Sequence, residues 1–159
     1  MRFFDLALAA ECSLEPVRRV GFLLEVADLV SSALQNIPVT LQVAKESISY
    51  ARQWKPFGKI SANDLYFAAN KPNQTGLAFE ESNATTPPEI SAIISITMAY
   101  YYVIWCAFVS EDATDIPQDV EAVPDEAFLG TLRYAIDSGV VQENSLCEVL
   151  QKYYAPGHA

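Results

Sequence analysis

The side chains that could do chemistry in this sequence are one histidine, His158, three cysteines, Cys12, Cys106 and Cys147, and twenty carboxylates. His158 stands one residue from the end of the sequence, and chain ends are mobile unless something docks them. A Ser–His or Cys–His pair built on it would lack the positioning that nucleophilic catalysis requires. The cysteines are odd in number, far apart and without C-x-x-C spacing, which points to buried free thiols in a reducing compartment rather than a disulfide framework or a zinc site. No H-E-x-x-H, Walker loop, dinucleotide fingerprint or EF-hand loop occurs. Asp115 and Asp119 lie four apart, but Pro117 between them spoils a shared helix face. Glu80 and Glu81 are adjacent and read as a solvated pair on a surface loop. The expectation is no catalytic residue, no metal ligand set and no cofactor, so not an enzyme.

Charge is more informative. Residues 1–71 hold eight basic side chains against seven acids, about +1; residues 72–159 hold only Arg133 and Lys152 against thirteen acids, about −11; the sum is the net −10 of the chain. Seven acids, Glu111, Asp112, Asp115, Asp119, Glu121, Asp125 and Glu126, fall within residues 111–126 with no basic residue among them. Such a stretch either aids solubility as a solvated loop or forms a docking surface for a basic partner, where opposed fields speed encounter and set register. Ile116, Val120 and Val123 favour docking, because a purely solvating tract has no use for them. Direct nucleic-acid binding is not expected, since a field of this sign repels phosphate.

These residues need a scaffold, and the periodicity predicts an all-α one. Ser13-Leu14-Glu15-Pro16 reads as a helix start with Ser13 as cap. Val20, Leu23, Leu24, Ala27, Val30 and Leu34 then recur at three- and four-residue steps, up to Pro38. Leu41, Ala44, Ile48 and Ala51 form the next stripe, ending near Trp54 before Pro56 and Gly58, where the glycine supplies a loop conformation other residues avoid. Ser61 and Asp64 have capping-box spacing before a short helix through Leu65, Phe67 and Ala68. Residues 70–88 read as a polar loop. Thr86-Pro87-Pro88-Glu89 is the best cap in the sequence and launches an apolar helix near 89–109, with a strand pair as the alternative for its β-branched and tyrosine-rich middle. Phe128, Leu129, Leu132, Ala135 and Ile136 lie on one face of a helix stopped by Gly139, and Leu146, Val149, Leu150 and Tyr153 mark a last helix ending at Pro156-Gly157. The expected architecture is a single domain over residues 1–159, an irregular bundle of about six helices around the central apolar one.

With 51% hydrophobic and 19% charged residues, the chain can bury a core without disulfides or metal. Asp5 interrupts what would be the apolar stretch of a signal peptide, so the expected location is cytoplasmic. Ile90 to Val109 carries no charge over a membrane-spanning length. Its acidic flanks and mid-segment tyrosines nonetheless fit a core helix better than a span, and no membrane association is expected.

Ala51-Arg52-Gln53-Trp54, Gly58, Ile60-Ser61 and Asp64-Leu65 together resemble the helical immunity proteins that protect bacteria from polymorphic toxins, in particular the fifth immunity-protein family. The similarity centres on residues 44–69 and extends loosely over 14–137. It implies an antitoxin that folds alone and neutralises a cognate toxin by occluding its active site or an essential surface. A nuclease with a basic cleft is the type of partner that suits an acidic inhibitor. Two other readings stand beside it: an acidic secretion chaperone or adaptor gripping an effector segment, and a small carboxylate- and metal-dependent enzyme.

Overall fold

Two reciprocal caps place the central part of the fold. Thr86 Oγ1 accepts the Glu89 N–H at 3.4 Å, while Glu89 Oε1 accepts the N–H groups of Thr85 and Thr86 at 3.1 and 3.2 Å. Ser61 Oγ accepts the Asp64 N–H at 3.1 Å, and Asp64 Oδ2 accepts the Ser61 N–H at 2.9 Å. Both match the spacing read from sequence. The computed structural model of the chain describes residues 2–154, and among these it contains eight α-helices, three short 3-10 segments and no strand. The helices are α1 (Phe3–Ser13), α2 (Pro16–Val30), α3 (Pro38–Arg52), α4 (Ala62–Ala69), α5 (Pro87–Ser110), α6 (Gln118–Glu121), α7 (Ala127–Asp137) and α8 (Glu143–Tyr154). The six expected helices are α2, α3, α4, α5, α7 and α8; α1 and the single turn α6 were not anticipated. His158 and Pro156-Gly157 lie outside the described residues.

The helix caps carry a pH dependence. Backbone hydrogen bonds hold both carboxyls below their ordinary range, from Thr85 chiefly for Glu89 and from Ser61 for Asp64. A lowered folded-state pKa stabilises the fold above the unfolded value, about 4, and that contribution is lost as pH falls through the folded value. The difference in melting temperature between the native chain and Glu89→Gln is therefore expected to be largest near neutrality and to shrink steadily below about pH 4. A difference that stays constant down to pH 2 would contradict the cap assignment.

Helix α5 is the hub, packing most extensively on α7 and α2 and also on α3 and α4. Its length and its mean hydropathy of 1.8 would suffice to cross a membrane, but 67% of that window is buried inside the fold. An all-round apolar helix is here a core helix, and the strand alternative is excluded. Two of its buried polar groups are satisfied within the fold: Ser95 Oγ donates to the Thr131 carbonyl and the Tyr100 hydroxyl to the Leu65 carbonyl, both at 2.7 Å. Phe22, Tyr102 and Phe128 join α2, α5 and α7 through ring centroids 5.8 to 5.9 Å apart, each such pair worth about 0.5–1.5 kcal/mol beyond area burial.

Four local expectations are corrected. Ser13 does not cap α2; it ends α1, donating from its hydroxyl to the Ala9 carbonyl at 2.7 Å. Glu15 is the N-cap and Pro16 the first helical residue, where proline's missing N–H costs nothing. Glu80 is not solvated. The 3-10 segment Leu77–Asn83 turns it inward, 5% exposed, to accept from Thr40 Oγ1 at 2.7 Å and Asn83 Nδ2 at 2.9 Å. This is possible because the chain crosses the end of α4 at Gly76, where a Cβ would meet the Ala69 carbonyl carbon at 2.5 Å. Phe57, not Gly58, takes the left-handed conformation, with φ +62°. Cys106 is buried as expected, but Cys12 is exposed and Cys147 half-buried; all three are free. Gly139 does stop α7 with a left-handed φ of +80°.

Candidate functional site

After α5 the chain turns sharply, with Asp112 left-handed at φ +51° and the Ala113 N–H bonded back to the Phe108 carbonyl at 3.1 Å. It then runs across the bundle through α6 and a 3-10 turn into α7. Val120 and Val123 are buried, and Ala113 and Ile116 pack against the core. The apolar residues within the acidic stretch are therefore anchors to the fold, and their presence does not by itself argue for docking. What they achieve is a fixed display. All seven acids, Glu111, Asp112, Asp115, Asp119, Glu121, Asp125 and Glu126, are exposed on a backbone pinned from beneath.

Two of the seven also serve the fold. Glu111 Oε2 accepts the Ala62 N–H at 2.8 Å, placing a carboxylate at the N-terminal end of α4, where the helix dipole favours it. Asp119 accepts from the Tyr66 hydroxyl at 3.2 Å and the Tyr101 hydroxyl at 3.4 Å. Burial raises the pKa of both tyrosines, Tyr101 to about 12, and the Asp119 charge adds to the effect, so both remain donors at neutral pH. The other five have no ion pair among the described residues. The three ion pairs found there lie elsewhere: Asp28 with Lys45 and Arg52, and Glu25 with Lys152.

Beside the acidic stretch lies a cleft of about 240 Å³ that the sequence reading missed. Its lining includes apolar Ile94, Met98 and Val123 together with the acids Glu81, Asp119 and Glu126. The signal was present in the sequence: Ile94, Met98, Tyr101 and Trp105 form a helical stripe that stays half-exposed along α5. Apolar surface bordered by carboxylates suits a lysine or arginine side chain, whose stem packs while its cation is paired. Among the described residues no group of three His, Cys, Asp or Glu side chains comes together that could hold a metal.

The family model described as Immunity protein Imm6 matches residues 18–137, about three-quarters of the chain. The matched span runs from α2 to the end of α7 and contains both the acidic stretch and the cleft. It bears out the resemblance to immunity proteins of polymorphic toxin systems, with Imm6 in place of the fifth family. No curated protein and no solved structure matches.

Proposed function

We infer, from the premise that this chain belongs to the Imm6 immunity protein family, that it binds and neutralises one cognate toxin in the cytoplasm without catalysing a reaction. The surface proposed to meet the toxin is the acidic stretch 111–126 with its adjoining cleft. The observation that supports this most is the fixed display of five exposed carboxylates that have neither a cation nor a structural duty among the described residues. Like charges held together repel one another, and a surface that keeps them so is drawn to a positive partner. A toxin with a basic substrate cleft, as in a nuclease, fits that requirement. An adaptor gripping an extended segment would need a long apolar groove, whereas the cleft at α5 is local and rimmed by acid.

The test is protection. Cells producing a candidate toxin domain from a neighbouring gene should survive only when this protein is co-produced, and the two purified proteins should form a complex. Survival without complex formation, or a stable complex without protection, would contradict neutralisation by binding.

A further inference from the structure

Lys55-Pro56-Phe57-Gly58 closes a β-turn in which the Gly58 N–H donates to the Lys55 carbonyl at 3.0 Å. Proline at the second position and a φ of +62° at the third make it type II. The third position of that turn calls for glycine or asparagine, and here it holds Phe57, 99% exposed. Glycine instead occupies the fourth position, where a Cβ would sit 3.0 Å from the Lys55 carbonyl oxygen. A single exposed apolar side chain is ordinary. A bulky one held in a left-handed backbone, giving nothing to the core, is not, and such outliers gather at functional sites.

The turn is also held firmly. Trp54 is buried on one side, Ile60 packs against the core on the other, and Ser61 caps α4. Lys55 and Lys59 flank the ring, exposed and without an ion pair among the described residues. Across a groove of about 320 Å³, which Phe57 and Lys55 help to line, stand Glu111 and Asp112, the first residues of the acidic stretch. Asp112 is the second left-handed non-glycine residue on this groove. The Phe57 turn is thus continuous with the proposed toxin-binding face but carries the opposite charge.

We propose that Phe57 is the aromatic anchor of a second contact with the cognate toxin, its ring entering an apolar pocket whose rim carries carboxylates opposite Lys55 and Lys59. This rests on the reading of the chain as a toxin-binding protein. The preset turn lowers the ordering cost of inserting the ring, and a buried aromatic anchor is the usual centre of binding energy. The alternation of cationic loop and acidic face fixes one orientation and rejects toxins whose charges are arranged otherwise.

The experiment compares Phe57→Gly and Phe57→Asn with the native chain, using as the probe the toxin domain against which this protein protects cells. Both replacements accept a positive φ, so the melting temperature should be unchanged or raised. Affinity should fall by about thirtyfold or more. Lys55→Glu combined with Lys59→Glu should also weaken binding. Native affinity in the Phe57 variants, or a large drop in their melting temperature, would overturn the anchor. Undiminished binding by the lysine double variant would overturn the acidic rim. If the native chain itself does not bind, the underlying reading fails and this inference with it; if it binds and the Phe57 variants bind equally, only this inference fails.

Discussion

Trp54→Ala is expected to destabilise the fold by about 3–5 kcal/mol, the range for truncating a buried large aromatic, or roughly 10 °C in melting temperature for a domain of this size. Trp54 is 7% exposed and follows the last turn of α3, its N–H bonded to the Ala51 carbonyl at 3.1 Å. With Val20 and Leu24 of α2 it lines the crevice where those two helices meet. Removing the ring leaves a void that two helices joined through the rest of the core cannot collapse to fill. Thermal or urea unfolding checks the size of the effect. A variant that keeps native stability yet loses its toxin would make Trp54 an interface anchor and reverse the assignment. Phe57, three residues on, predicts the opposite pattern, so the pair separates fold from function within one short segment.

The sequence revealed most where a local rule and a long-range pattern agreed. Thr86 and Glu89 announced α5, and twenty uncharged residues behind them required a helix enclosed by others, as found. It revealed least where one residue type serves two ends. Ser13 has the composition of an N-cap, but α1 runs forward to end on it, and Pro16 sets the start of α2 instead. That first helix was missed although Phe3, Ala7 and Ala10 are spaced for one buried face; Arg2 at its start supplies no side-chain cap to mark it. Glu80 reads as solvated because it stands beside Glu81 in a surface loop, whereas a 3-10 turn and the close passage at Gly76 carry it to Thr40. The acids of 111–126 were legible as a cluster. Which of them belong to the fold was not, because the bond from Ala62 to Glu111 spans 49 residues and that from Tyr66 to Asp119 spans 53.

That division sharpens the second large effect. Asp112, Asp115, Glu121, Asp125 and Glu126 can be changed together to their amides, leaving Glu111 and Asp119 to hold α4 and the two tyrosines. Stability should be unchanged or slightly higher, since exposed like charges contribute little to folding and repel one another, and asparagine suits the left-handed φ at position 112. The summed field that draws in a basic partner would be largely removed. Association should slow by about tenfold to a hundredfold at low salt, with dissociation changed less. Any one of these acids that is buried against a toxin arginine or lysine would also raise the dissociation rate, at a cost of about 2–5 kcal/mol.

The most direct measurement is the association rate with the toxin domain against which this protein protects cells, at low and at moderate salt, for the native chain and the five-amide variant. The account predicts a fast, steeply salt-dependent rate for the native chain and a slower, less salt-dependent rate for the variant. Equal rates with equal salt slopes would contradict it and move the toxin contact away from residues 111–126.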